Sequence, residues 1–262
     1  MSIHFKLKML AGVAALAMAG TAMANTTLDG AATGDLFLNV VDTTNSTSFL
    51  FDTGISQASF NGSVSLSPLS FSDANWTSFI TGHTGDNLLF SVISATKTTT
   101  APAVGTVFFT GTSVPTATIG ANISQVQTVV DGFATQANGV ASGTSNSALL
   151  PTANYWGDSL REGIASTNLY ADATSLSAAP GTALAFYSET SNALRSTTTV
   201  ATLATFAGYW SLDLAGATLT YTVASVPLPT PLVLLLSGLG LMVIVARRRK
   251  DGSSAFASMT AA

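Results

Sequence analysis

The chain has 262 residues, 47% hydrophobic and only 8% charged, and no cysteine. Soluble domains average about 25% charged residues; here Ser, Thr and Gly carry the polarity, and the missing thiols exclude disulfides, thiol catalysis, zinc–thiolate sites and iron–sulfur clusters. Between Asn25 and Ser225 three basic residues (Lys97, Arg161, Arg195) stand against twelve acidic ones, a formal net charge of −9, which repels phosphate backbones and excludes nucleic acid as a partner.

At the N-terminus Lys6 and Lys8 precede an apolar run from Met9 to Met18, too short to span a bilayer. Ala22-Met23-Ala24 then supplies the small-x-small pattern of a cleavage site, with Ala22 and Ala24 as the small residues. Residues 1–24 are expected to be a signal peptide. Residues 25–225 are expected to form an exported β-rich domain held together by its core alone, for which about 200 residues suffice.

From Leu36 onward short apolar runs alternate with turn residues: LFLNVV, SFLF, ASF, VSLS, NLLFSVIS and VGTVFFTG. Val, Phe, Ile and Thr dominate them, as in antiparallel strands. KTTTAPAVGT reads as a loop, because Pro102 cannot donate to a ladder. In NISQVQTVVDGFATQANG the period changes: Ile123, Val126, Val129, Val130 and Phe133 recur at three- and four-residue spacing. This predicts a helix near 123–137, with Asn122 as N-cap, Gly139 as stop and Gly132 costing about 1 kcal/mol.

Residues 141–182 are rich in Ser, Gly, Ala and Asn, with NYWGDSLREGI their one distinctive piece. Strand signals return in TALAFYSET. TVATLATFA fits a short helix or a strand, and GYWSLDLAGATLTYTV reads as a closing hairpin turning near Asp213 and Gly216. The expected fold class is mainly β, an antiparallel β-sandwich with one or two short helices, plus a C-terminal single transmembrane helix.

Four features invite a chemical reading. Phe51-Asp52-Thr53-Gly54 resembles an aspartic protease loop, but that chemistry needs two carboxylates sharing a proton, and no second DTG or DSG exists. A strand ending in a tight Asp-x-Gly turn is the plainer reading. His83 is the one histidine of residues 25–225; it could serve a serine triad, but no G-x-S-x-G elbow accompanies it, and it reads as a loop histidine. Asp73, Asn75, Asp86 and Asn87 could ligate calcium, but they lack EF-hand spacing and suit local turns equally well. Trp76, Trp156 and Trp210, with Tyr155 and Tyr209, could stack on sugars if exposed and belong to a core otherwise. Four N-x-[ST] matches carry no weight in so hydroxyl-rich a chain. No catalytic, metal or cofactor residue is expected.

The C-terminal region reads in three parts. Val226-Pro227-Leu228-Pro229 opens a Pro-rich stretch over 226–231. Residues 231–246 carry no charge and would make a helix of about 24 Å, which flanking residues and snorkelling arginines extend toward the bilayer core thickness of about 30 Å. Arg247, Arg248, Arg249 and Lys250 form a stop-transfer block, and the positive-inside rule puts residues 247–262 in the cytoplasm. Prolines at 227, 229 and 231 keep the stretch extended.

A Pro-bearing motif, a Leu/Gly-rich apolar helix (SGLGLMVIVARRRK) and an Arg cluster, in that order, resemble the PEP-CTERM sorting signal, with Val-Pro-Leu-Pro as a variant of the commoner Val-Pro-Glu-Pro. Family members usually stop soon after the arginines, whereas this chain continues for twelve residues beyond Lys250. GDLFLNVVD, SFLFDTGIS, ALAFYSET and GYWSLDLAGATLTYTV are similar to stretches of bacterial PEP-CTERM proteins with no known activity. The resemblance implies a Gram-negative, exopolysaccharide-producing host and an exosortase, a membrane-embedded cysteine transpeptidase-like enzyme, as processing partner. It also implies a final place at the cell surface or in the biofilm matrix, with exopolysaccharide as a further partner and no catalytic role. Two alternatives stay open: a secreted hydrolase of matrix polysaccharide, which needs two carboxylates at a defined separation, and a subunit that self-associates through exposed strand edges.

Overall fold

The computed structural model describes residues 34–83, 87–97, 104–140, 146–150 and 175–224. Nine strands and two helices follow in the order β1 (Asp35–Asp42), β2 (Thr47–Ser56), β3 (Leu69–Ser70), α1 (Ala74–Gly82), β4 (Leu88–Lys97), β5 (Gly105–Gly111), α2 (Gly120–Val140), β6 (Ser147–Leu150), β7 (Leu184–Ser191), β8 (Thr202–Asp213) and β9 (Thr218–Val223). The fold is mainly β, and every strand pair is antiparallel.

The two-sheet sandwich expected from the sequence is replaced by one sheet, ordered β3-β9-β8-β7-β5-β4-β1-β2-β6. Third from one end of that order, β1 is buried at all eight positions. Leu36, Leu38 and Val40 join one apolar cluster and Phe37 joins another, as the two-residue period of a strand requires. A sandwich strand has one wet face. LFLNVV lacks polar alternation because both its faces are covered, and helices and loops cover them instead of a second sheet.

α2 covers one face. Ile123, Val126, Val130, Phe133, Ala134 and Ala137 form its buried stripe against Phe37, Ile93, Val107, Phe109 and Tyr187. The helical period was legible, but the element begins earlier and ends later than 123–137, and at 21 residues it is not short.

The other face curls around aromatic rings. Phe49 of β2 and Trp210 and Tyr221 of β8 and β9 lie toward opposite ends of the strand order yet share one cluster, so the sheet closes into a half-barrel around it. Irregular register between Asp35 and Phe37, and between Ala185 and Tyr187, marks bulges of the kind that bend a sheet. α1 plugs one end with Trp76 and Phe79, which pack on Phe49 at centroid distances of 5.0 and 6.1 Å.

The chain between β2 and β3 crosses the concave side and ties its two ends together. Gln57 N donates to Gly34 O at 2.9 Å, Leu66 N to Tyr221 O at 3.0 Å and Phe71 N to Ala217 O at 3.1 Å. Phe60 sits on Phe186, Phe206, Trp210 and Tyr221. The Tyr221 hydroxyl donates to Gly62 O at 2.8 Å and accepts from Gly208 N at 2.9 Å. A Cβ on Gly62 would lie 2.2 Å from the Phe206 ring, so only glycine permits this approach. ASF and VSLS, expected as strands, belong to this crossing, and only Leu69–Ser70 pairs as β3.

α1 and β6 were not anticipated. α1 carries Asp73 as N-cap and Trp76, Phe79 and Ile80 at helical spacing, but its nine residues are too few for a periodic signal to stand out. TVATLATFA resolves into strand as the first half of β8, and the closing hairpin forms as β8–β9. No helix among the described residues is long and apolar enough to cross a membrane. The signal peptide with Ala22 and Ala24, the motif Val226–Pro229, the apolar run 231–246, the block Arg247–Lys250, and Tyr155, Trp156 and Asp86 all lie outside the described residues.

Candidate functional site

The hairpin between β1 and β2 gathers a polar cluster around one buried carboxylate. Asp42 ends β1 and Thr47, its register partner, opens β2, so their side chains stand on one face. Between them the chain turns through Thr43–Ser46, with Ser46 in the left-handed region at φ 53°. The Asp42 carboxylate organises this turn. Its Oδ1 accepts from Thr44 N at 2.7 Å and Asn45 N at 3.0 Å, and its Oδ2 accepts from Asn45 Nδ2 at 2.9 Å.

His83 reaches the same carboxylate from the end of α1. Its amide, bonded to Ile80 O at 3.3 Å, caps the helix. Its Nδ1 lies 2.5 Å from Asp42 Oδ2 and its Nε2 lies 3.0 Å from Thr47 Oγ1. The ring rests on Phe79 at 4.7 Å, and its side chain is 11% exposed. Burial pushes the Asp42 carboxyl upward, but hydrogen bonds from Asn45 and Thr44, with the His83 charge, outweigh it and hold the group below its ordinary value. A cleft of about 760 Å³ opens beside His83, lined by Trp76, Ile80, Asn87, Pro180 and Leu214 among others.

Carboxylate, imidazole and hydroxyl in line form the core of an acyl-transfer relay. Such a relay also needs N–H donors aimed at a developing oxyanion, and the Thr44 and Asn45 amides are already committed to Asp42. Thr47, moreover, is not among the residues lining the cleft. What the geometry does is mechanical: one imidazole fastens the end of α1 to the β1–β2 hairpin. His83 is therefore more than a loop histidine. Residues 42 and 83 are too far apart in sequence for spacing to reveal the pairing.

The other candidates resolve into local structure. Asp52-Thr53-Gly54 is a bulge within β2: Asp52 Oδ1 accepts from Gly54 N at 2.8 Å, Gly54 takes φ +66°, and Thr53 Oγ1 donates to Leu36 O at 2.8 Å. Asp73 caps α1 through Trp76 N at 2.8 Å and accepts from the Ser147 hydroxyl, while Asn75 Nδ2 donates to Ser147 O at 3.0 Å. These two residues join α1 to β6, and no group of three potential metal ligands exists among the described residues. Trp76 and Trp210 are core residues, and of the described candidates for sugar stacking only Tyr209 is exposed.

A second buried carboxylate, which sequence reading did not single out, lies under α2. Glu189 of β7 is 0% exposed. Its Oε2 accepts from Thr118 N at 3.1 Å, just before α2, while Oε1 has no hydrogen-bond partner among the described residues. Burial raises its pKa to about 7, against the single hydrogen bond from Thr118. No family model, curated protein or solved structure matches this chain.

Proposed function

We propose that this chain is an exported, non-catalytic protein of the cell surface or extracellular matrix, sorted through its C-terminal region. In this reading residues 1–24 direct export, and the apolar run 231–246 holds the chain in the inner membrane with Arg247–Lys250 on the cytoplasmic side. An exosortase then processes it at Val226–Pro229. The exported β domain ends in the biofilm or exopolysaccharide matrix, where polysaccharide is its expected partner.

One observation carries the proposal: the order of proline motif, Leu/Gly-rich apolar run and arginine cluster in the last 37 residues. The position of the motif supports it as well. β9 ends at Val223, so Val226 follows the last described strand by three residues in sequence.

The test is the mature C-terminus, read by mass spectrometry in the native host and in a strain lacking the exosortase. The expected result is a new terminus near Val226–Thr230 that disappears in the mutant strain. An intact C-terminus in both strains would remove the sorting reading and leave an ordinary membrane-anchored β domain.

A further inference from the structure

Two turns stand beside α1 at one end of the sheet. The first, Ala179–Gly181, precedes β7 and is fastened to β8, where Gly181 N donates to Leu212 O at 2.9 Å. The second, Leu214–Ala217, joins β8 to β9, and Asp213 Oδ1 accepts from Ala215 N at 3.0 Å at its start. α1 is held in place through the ties of His83 to Asp42 and Thr47.

Two clefts adjoin here. The cleft of about 760 Å³ has Trp76, Ile80, Leu88, Pro180 and Leu214 as apolar walls, with Ser72, Asn87 and the His83 ring as its polar lining. Sites that take a small molecule measure about 300–1,000 Å³. The second cleft, of about 510 Å³, is lined by Ser211 and Asp213. Pro180, Leu214 and Ala215 line both, so the two meet along these residues.

Each cleft asks for a different chemistry. The larger suits an aliphatic body: both His83 nitrogens are engaged, so the ring offers a wall and not a charge. The smaller suits a donor, because Asp213 is exposed and a carboxylate only accepts. The donor should also be positive. Lys97 and Arg195, the basic residues among those described, belong to the other end of the strands. Lys97 closes β4, about 30 Å along the strand from Leu88, and Arg195 follows the end of β7, whereas Ala179–Gly181 precedes its start. The formal charge of −9 over residues 25–225 draws cations toward the domain and repels anions.

We propose that the joined clefts bind a small amphiphilic cation, its aliphatic chain against Ile80, Leu88 and Leu214 and its ammonium group at Asp213. Both turns are hydrogen-bonded in place without a ligand, which lowers the ordering cost of binding. The site uses no residue of the C-terminal region and stands whether or not the chain is sorted through it.

The test uses the full-length chain in its host membranes at low ionic strength and about pH 7, where an alkylamine is protonated. Saturation-transfer NMR, with membranes lacking the chain subtracted, compares hexylamine, hexanol and hexanoate, which differ only in the head group. Hexylamine should bind saturably and about fivefold more tightly than hexanol, with hexanoate weaker than either. Asp213→Asn keeps an oxygen to accept from Ala215 N, so the turn survives. It should bring hexylamine down to the affinity of hexanol and leave hexanol unchanged. Ala215→Trp and, independently, Ala179→Trp fill the larger cleft from exposed lining positions. In whichever of them resists limited proteolysis as the parent does, saturable hexylamine binding should be lost. Three results would each overturn the proposal: no saturable binding of hexylamine, equal affinity for the three head groups, or an amine preference that survives Asp213→Asn. Binding undiminished in a folded tryptophan variant would place the probe elsewhere and overturn it too.

Discussion

Asp42 and Glu189 are both fully buried carboxylates, and the fold treats them in opposite ways. Asp42 ends a strand at a tight turn, where the backbone N–H groups of Thr44 and Asn45 are free of ladder duties and point at it. Glu189 sits within β7, where the surrounding amides serve the ladders to β5 and β8 and only Thr118 N reaches it. One carboxyl is held below its ordinary value and the other is raised to about 7. Burial is common to both, so the donors that the local backbone can spare decide the sign.

The largest expected effect comes from removing the better-served group. Asp42→Ala leaves three donors and the His83 ring without their shared acceptor, and should cost about 4 kcal/mol of unfolding free energy, measured by urea denaturation near neutral pH. A cost below about 1 kcal/mol would mean that the turn holds without its carboxylate. In the parent protein, Asp42 contributes stability that is present above its unfolded pKa and is lost as pH falls through its lower folded value.

Glu189 has the opposite sign and gives the next effect. Its neutral form is the one the fold accepts, so its contribution falls as pH rises from the unfolded value of 4.5 to the folded value near 7. Above that it is constant, at a penalty of about 3 kcal/mol relative to the acid form. Glu189→Gln, which cannot ionise, should therefore stabilise the protein by about 2 kcal/mol at about pH 8 and change little at about pH 5. The comparison breaks if the two proteins show parallel urea midpoints across that range.

How legible each region was in sequence follows from the same contrast. The strands from Leu36, Leu88, Gly105 and Leu184 were readable because Phe, Val, Ile and Leu crowd into short runs between turn residues. α2 was readable because its apolar stripe runs for several turns. The single sheet was not, because a run such as LFLNVV reports that both faces are dry and not what dries them. α1, with nine residues, and β6, with four, fell below any periodic signal. The Asp42–His83 contact joins residues more than forty positions apart in sequence, and Glu189 looks like any strand glutamate until α2 closes over it. Spacing carries local chemistry, whereas these contacts join segments that are distant in sequence.

His83→Ala separates the clamp from the turn it holds. The Asp42 carboxylate keeps its three donors from Thr44 and Asn45, and the loss is the tie to α1 and the packing on Phe79. About 2 kcal/mol should be lost, with faster amide exchange concentrated in α1 and little change in β1 or β2. Faster exchange throughout both strands would make His83 part of the turn itself and not a fastening between two elements.

The smallest expected effect tests the same idea at a third buried carboxylate. Asp52 takes a turn-supplied donor just as Asp42 does, but within a strand, where the chain must bulge to deliver it. Gly54 makes this possible at φ +66°, and a Cβ there would meet nothing within 4 Å. Any cost of Gly54→Ala is therefore conformational, about 1 kcal/mol for a non-glycine residue held in the left-handed region. Because the amide remains, Asp52 keeps its donor, and amide exchange at position 54 should match that of the parent. Faster exchange there would mean that the bulge relaxes instead of bearing the strain and withdraws the N–H of residue 54 from Asp52. The donor would then follow from glycine at that position, while at Asp42 the turn supplies it without one.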